Sequence, residues 1–352
     1  MTALEGAREF QPPSDWLRVQ TLDVHTAGEP LRIVTSGIPE PPGDTMLAKR
    51  AWMQQHADEM RRILMWEPRG HADMYGCLPT EAVTKDGHLG VLFLHNEGYS
   101  TMCGHGIVGL VTVCLDAGLL DLPGDRPIVR IDTPAGRVTA TGIRENGRVA
   151  KVAFDNVPSF LLKRNHVVQV EGVGSSGRLS VNCDIGYGGA FYAYVDARTV
   201  GLELEPSRFA EIVELGRRVK QAVTNSCEIV HPEGDPDLGF LYGTIFYQPA
   251  ENGAHSRNVC VFADGELDRS PTGTGVAGRA ACLVDRGELA LGEPIVIQSL
   301  IGTSFEVCAM QKIDVGGVKG VIPRVTGSAS LTGRHEFFVD PGDPLKHGFF
   351  LR

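Results

Sequence analysis

A glycine-rich stretch occurs twice in this chain, and the repetition limits the folds that the chain can adopt. The first copy covers 99–109 and the second covers 268–278. Each copy follows a strand-like apolar run and leads into an apolar segment, which predicts a sharp turn from a strand into a helix. The glycines that coincide when the copies are aligned are Gly104 with Gly273, Gly106 with Gly275 and Gly109 with Gly278.

Cys103 lies at the start of the first predicted helix, and Thr272 occupies the matching position of the second. At such a position the free backbone amides and the positive end of the helix dipole favour a thiolate. Cys103 is therefore a candidate base or nucleophile. The alternative is a buried structural thiol, because most cysteines in a chain of this size are small core residues.

The repetition extends well beyond the glycine-rich stretches. The segment 23–34 has the same outline as 184–195, and an amphipathic helix predicted over 45–65 has a counterpart over 208–223. After each of these helices an extended stretch ends in Tyr-Gly, at Tyr75 in the first half and at Tyr242 in the second. The order of elements is thus preserved through nearly the whole chain.

At 352 residues, the chain is long enough for two domains, and the repeat places their junction in the polar segment 171–177. We predict one domain over 16–170, which carries Cys103, and a second over 178–345, which carries Thr272. Two similar halves that face each other across a cleft would bring two helix N-termini to one shared site.

Composition restricts the partners. Apolar residues make up 42% and charged residues 22% of the chain, and the formal charge is −10. An acidic chain without clustered Lys or Arg is not expected to bind nucleic acid, so small molecules are the favoured partners.

The first fifteen residues lack the pattern of a signal peptide, and no apolar run has the length of a membrane span. The eight cysteines include no CxxC pair, so we expect reduced thiols, no metal site and a cytoplasmic protein.

Two other kinds of site fit parts of the repeat. Both copies match GxGxxG, but a dinucleotide site also needs an acidic residue at the end of the next strand, whereas Asp116 and Asp285 lie within the helical segments. A paired anion site fits the two copies better. A Cys-His hydrolase would need a histidine aligned with Cys103, and His105 is only two residues away, a spacing that disfavours a protease-like dyad.

The motifs 23–30, 103–105 and 268–274 together resemble the proline racemase family. The resemblance runs from about Leu17 to the C-terminal residues and includes both halves. It implies an α/β (α+β) fold like that of diaminopimelate epimerase, with two pseudo-symmetric domains that each wrap strands around a central helix. It also implies chemistry without a cofactor in the cleft between them.

Racemases of this family carry cysteine at both helix starts, one thiol removing the α-proton and the other delivering a proton to the opposite face. This chain has Thr272 in place of the second cysteine. A hydroxyl is too weakly acidic to exchange a proton as a thiol does near neutral pH, so two-base racemisation is expected to fail. The pair of Cys103 and Thr272 is similar to that of the trans-3-hydroxy-L-proline dehydratases of the family, which need one base.

The resemblance also implies roles for the surrounding residues. Cys103 would remove the α-proton, and Asp268 would contact the ring ammonium of the substrate. His105 would contact the carboxylate or the departing oxygen, and either it or Cys103 could assist the loss of water. The backbone amides that would hold the substrate carboxylate belong to Gly104, His105, Gly273 and Thr274. Tyr75 and Phe262 would form aromatic walls of the pocket, with core packing as the alternative for both.

The predicted function is therefore cofactor-independent dehydration of trans-3-hydroxy-L-proline to pyrroline-2-carboxylate. A proline racemase or 4-hydroxyproline epimerase is the alternative, with Thr272 or a water as the second acid. A non-catalytic imino-acid binding protein is a third, which the retention of Cys103 disfavours. We expect no cofactor and no metal, a small imino acid as the ligand, and a homodimer as one possible assembly.

Overall fold

The computed structural model of the chain describes residues 10–172, 177–233, 236–250 and 253–351. Residues 173–176, within the predicted junction, and residues 1–9, within the segment examined for a signal peptide, lie outside the described residues. No helix in the described part combines the length and apolar character needed to cross a membrane.

Strands dominate the described part of the chain. The helices are α1 Met46–His56, α2 Asp58–Met65, α3 Gly104–Asp116, α4 Phe209–Ser226 and α5 Gly273–Arg286, with 3₁₀ turns at Ala197–Val200, Pro206–Arg208 and Pro236–Leu238. The strands of the first half are β1 Leu17–Thr26, β2 Glu29–Ser36, β3 Tyr75–Thr80, β4 Leu89–His95, β5 Tyr99–Ser100, β6 Ile128–Thr133, β7 Gly136–Glu145, β8 Arg148–Asp155 and β9 Ser159–Glu171. Those of the second half are β10 Arg178–Tyr187, β11 Phe191–Asp196, β12 Leu241–Pro249, β13 Ser256–Phe262, β14 Glu266–Asp268, β15 Pro294–Gln298, β16 Ser304–Val315, β17 Val318–Gly327 and β18 Ala329–Val339.

The helix predicted over 45–65 is two helices. Thr45 caps α1 by accepting a hydrogen bond from the amide of Ala48 at 3.0 Å, and Ala57 leaves the helical conformation with φ −141°. Asp58 then begins α2 with an acidic first turn, which suits the positive end of a helix. The apolar periodicity continues across the break, which is why the sequence indicated one helix. The counterpart predicted over 208–223 is the single helix α4.

The two repeated segments form the central helices α3 and α5. All residues of α3 from Gly104 to Leu115 are buried, as are those of α5 from Gly273 to Leu283. A helix that is buried on every side must be covered by other elements, and strands supply the cover here. This is the arrangement that the duplicated apolar helices predicted.

Strand pairing crosses between the two halves of the sequence. The last strand of the first half, β9, pairs antiparallel with β10 and also with β17, whereas the last strand of the second half, β18, pairs antiparallel with β1. β8 and β17 pair directly as well. Because β18 contacts α3 and β9 contacts α5, each central helix is partly covered by a strand from the other half.

Candidate active site

A small buried cavity lies where the N-termini of α3 and α5 meet. Its cavity volume is about 20 Å³. The residues around it are Tyr75, Met102, Cys103, Gly104, His105, Tyr192, Tyr242, Phe262, Asp268, Thr272, Gly273 and Thr274. The structure therefore brings all nine sequence-predicted site residues to a single cavity, together with three that the sequence analysis did not single out.

Gly104 and Gly273 face each other across this site at very short range. A Cβ atom on Gly104 would lie 2.4 Å from the Cα of Gly273, and one on Gly273 would lie 2.5 Å from the Cα of Gly104. No side chain fits between these backbones, so glycine is required on both sides. The first amides of the two helices have no helical carbonyl before them to bind, so both helix starts offer free donors at this cavity.

Cys103 is the residue before α3, with extended backbone at φ −145°. Its sulfur accepts a hydrogen bond from the amide of Gly106 at 3.1 Å, as expected of a cap. Burial nevertheless raises the pKa of the Cys103 thiol well above its usual value, and the amide hydrogen bond and a contact with Tyr75 offset this only in part. The helix terminus therefore favours the thiolate, as the sequence predicts, but burial acts against it and has the larger effect on this thiol.

His105 lies against the thiol despite the short sequence separation. Its Nδ1 is 3.3 Å from the Cys103 sulfur, and its ring meets that of Tyr75 edge to face at 4.7 Å. Burial lowers the pKa of His105 to about 4, so the imidazole is neutral near neutral pH. The site therefore holds a neutral imidazole in hydrogen-bond contact with the thiol.

Thr272 occupies the position opposite Cys103 in the second half. Its hydroxyl donates to Asp268 Oδ2 at 2.8 Å, and the other oxygen of that carboxylate accepts from the amide of Ser270 at 2.7 Å. Its backbone has φ 68°, a left-handed conformation that β-branched residues rarely adopt. The Thr272 hydroxyl is thus held as a donor to a carboxylate, and no thiol occupies this end of the cavity lining.

Behind Asp268 lies a buried carboxyl to which the sequence analysis assigned no role. Glu29 is fully buried, and its Oε2 accepts from the amide of Arg269 at 2.7 Å and pairs with the Arg269 guanidinium at 3.1 Å. Burial, reinforced by the charge of Asp268, raises the pKa of Glu29 well above its usual value. Glu29 therefore anchors the 268–270 turn from the first half of the chain.

Aromatic rings form the remaining walls. Tyr75 and Phe262, which the sequence placed here, have ring centroids 6.0 Å apart, and the Tyr75 hydroxyl is hydrogen-bonded to that of Ser100 at 2.5 Å. Tyr192, Tyr242 and Met102 are the lining residues that sequence reasoning missed. One signal was present for Tyr242, because the Tyr-Gly repeat makes it the counterpart of Tyr75. Nothing comparable marked the other two.

No group of three or more His, Cys, Asp or Glu side chains in the described ranges is arranged to hold a metal ion. All eight cysteines are free, including Cys114 within α3 and Cys282 within α5.

Comparison with known proteins assigns the chain to a family. The sequence profile described as proline racemase matches residues 21–350, which is nearly the whole chain. The chain belongs to the proline racemase family. This confirms the resemblance carried by the three motifs, and with it an enzyme.

Named relatives in the family do not all share one activity. A trans-3-hydroxy-L-proline dehydratase of Colwellia psychrerythraea is 46% identical over 98% of this chain and 96% of its own length. A 3-hydroxyproline 2-epimerase of Burkholderia multivorans is 44% identical over 95% of this chain and 98% of its own. The crystal structure of a hydroxyproline epimerase from Agrobacterium vitis, with trans-4-hydroxy-L-proline bound, superposes with a TM-score of 0.88 at 30% identity, covering 95% of this chain and 96% of the other. The predicted mixed α/β fold is confirmed by this match.

Proposed function

We propose that this enzyme dehydrates trans-3-hydroxy-L-proline to pyrroline-2-carboxylate. The observation that carries the proposal is the asymmetry of the cavity: a thiol at the start of α3 faces a hydroxyl at the start of α5 that already donates to Asp268. Cys103 would therefore supply a base, whereas Thr272 would not supply a second acid. The several relatives named trans-3-hydroxy-L-proline dehydratase, at 42–46% identity, support the same reaction.

Binding of the substrate would also activate the base. The substrate is a zwitterion, and its carboxylate fits the converging amides of Gly104, His105, Gly273 and Thr274. Its ring ammonium would then lie near Asp268. A cation brought into the buried cavity favours the charged form of a neighbouring acid, so it lowers the pKa of Cys103, and the thiol releases its proton to solvent as the substrate enters.

The proposed reaction then proceeds by loss of two groups from one ring face. The Cys103 thiolate takes the α-proton, and the electron pair left on Cα is stabilised through the carboxylate by the helix amides. That pair forms the Cα–Cβ double bond as the C3–O bond breaks, and the departing hydroxide takes a proton to leave as water. The enamine product tautomerises to pyrroline-2-carboxylate. The oxidation of Cα is balanced by the reduction of C3, so the reaction needs no external electron acceptor.

The geometry of the substrate suits a single base. In trans-3-hydroxy-L-proline the α-hydrogen and the hydroxyl lie on the same face of the ring, so the thiol that received the α-proton is positioned to return it to the hydroxide. The thiolate is thereby regenerated. The aromatic walls formed by Tyr75 and Phe262 would exclude bulk water around the carbanion.

Epimerisation of hydroxyproline is the second candidate, because one relative at 44% identity is named 3-hydroxyproline 2-epimerase. It would require Thr272 or a water held by it to protonate the opposite face of the carbanion. Epimerisation would introduce solvent deuterium at Cα with inversion of configuration.

The deciding experiment is an assay of the purified protein with trans-3-hydroxy-L-proline, in which pyrroline-2-carboxylate is detected with o-aminobenzaldehyde. L-Proline and trans-4-hydroxy-L-proline are followed in parallel by polarimetry. Product from the first compound, lost in Cys103→Ser, with no change of rotation for the other two, is the expected result. Inversion without pyrroline-2-carboxylate would overturn the proposal in favour of an epimerase.

A further inference from the structure

One hydroxyl in the cavity lining lacks a partner. The hydroxyls of Thr272, Tyr75 and Tyr192 are each bonded, to Asp268, Ser100 and Thr274 respectively. The Tyr242 hydroxyl is buried and makes no hydrogen bond within the described residues, although the Tyr75 hydroxyl, which is bonded to Ser100, is close enough to affect its pKa. An unsatisfied buried hydroxyl costs about 1–3 kcal/mol, so a polar group of a ligand is its natural partner.

The ring of Tyr242 is fixed by its neighbours. It stacks on Phe262 at a centroid distance of 5.4 Å and meets the rings of His95 and Tyr192 edge to face, each at 5.9 Å. Tyr242 itself is only 7% exposed. The ring cannot turn toward solvent without leaving this cluster, so its hydroxyl stays buried beside the cavity that Tyr242 lines.

Tyr242 and Cys103 line the same cavity. Burial first, and then the charge of nearby Glu266 and the thiolate form of Cys103, raise the pKa of Tyr242 well above its usual value. The phenol therefore keeps its proton near neutral pH and can act as a hydrogen-bond donor. Because the α-hydrogen and the 3-hydroxyl share a ring face, a donor beside Cys103 faces the departing oxygen.

We propose that the Tyr242 hydroxyl donates a hydrogen bond to the 3-hydroxyl of the substrate and so selects for a hydroxylated imino acid; this inference rests on the proposed function. Tyr242 does not itself lose a proton. In the elimination the α-proton passes to Cys103 and then to the departing hydroxide, while the hydrogen bond from Tyr242 stabilises the charge that develops on that oxygen as the C3–O bond breaks.

The test compares Tyr242→Phe with Tyr99→Phe. Tyr99 is also buried with an unpartnered hydroxyl, but it does not line the cavity, so the same chemical change there is a matched control. Binding of trans-3-hydroxy-L-proline and of L-proline is measured by calorimetry in a Cys103→Ala background, which prevents turnover. We expect Tyr242→Phe to weaken binding of the hydroxylated ligand about tenfold and to leave L-proline unchanged.

In the active enzyme the same variant is expected to slow pyrroline-2-carboxylate formation by more than about tenfold. Exchange of the α-hydrogen of L-proline in deuterium oxide, which involves no hydroxyl, is expected to stay at the wild-type rate. Equal losses for both ligands, or no loss for either, would overturn the assignment of Tyr242. Absence of pyrroline-2-carboxylate from the wild-type enzyme would instead contradict the proposed function, and the ratio of the two dissociation constants would still report on Tyr242.

Discussion

The close approach of Gly104 and Gly273 makes a specific prediction for Gly273→Ala. The new Cβ would lie 2.5 Å from the Gly104 Cα and 3.0 Å from its carbonyl carbon. These neighbours are backbone atoms, which cannot rotate away as a side chain can. The two helix ends must therefore separate by about 1 Å to reach ordinary van der Waals contact.

The expected effect on activity is larger than that on stability. Overpacking by one methyl group costs about 1–3 kcal/mol, which the free energy of unfolding from denaturant titration would report. A displacement of about 1 Å at the reacting groups can lower the rate about 100-fold, because the carboxylate would no longer reach both sets of amides. The kcat for pyrroline-2-carboxylate formation measures this loss.

Gly98→Ala is the matched control, since a Cβ at that position meets no atom within 4 Å. It should change neither kcat nor the free energy of unfolding. If Gly273→Ala kept wild-type kcat and KM, the carboxylate would not be held between the two helix ends, and the anion site inferred from them would be refuted.

Three further predictions concern charge and acidity in the site. Because burial raises the pKa of Cys103, its alkylation by iodoacetamide should be slow at pH 7 and accelerate as the pH rises, whereas rapid labelling at neutral pH would contradict the raised pKa. Glu29 keeps its proton to a higher pH in the folded protein than in the unfolded chain. Its contribution to the stability of the folded state is therefore greatest at low pH and is lost as the pH rises through the raised pKa. The unfolding free energy of wild type relative to Glu29→Gln should therefore fall between acidic and neutral pH, and a constant difference would argue against a raised pKa. Thr272→Cys places a second thiol opposite Cys103 and should introduce solvent deuterium at Cα of trans-4-hydroxy-L-proline with inversion; failure to do so in a folded variant would mean that a second thiol alone is insufficient.

Much of the site could be predicted because the repeat relates distant residues. Aligning the two glycine-rich stretches was enough to place Cys103 opposite Thr272, and the family resemblance supplied Asp268. The break at Ala57 was missed, because the apolar spacing is the same on both sides of it. The raised pKa of Cys103 also could not be read from the motif, since the burial that causes it depends on residues from both halves.

The sequence could also have predicted that Tyr242 lines the site. The Tyr-Gly repeat makes Tyr242 the counterpart of Tyr75, which predicts where its side chain lies. The repeat does not predict which groups the two hydroxyls bind. Only the three-dimensional contacts distinguish the two hydroxyls, one bonded to Ser100 and the other without a partner in the described structure.

The exchange of end strands has a consequence for how the chain is made. β1 leaves the ribosome before every other described strand, and one of its two pairing edges is completed by β18, the last strand of the described chain. One edge of β1 therefore stays unpaired until β18 has been synthesised. Unpaired strand edges can form hydrogen bonds with other chains and so promote aggregation. The arrival of β18 closes this edge of the first half and also completes the cover of the helix that begins after Cys103.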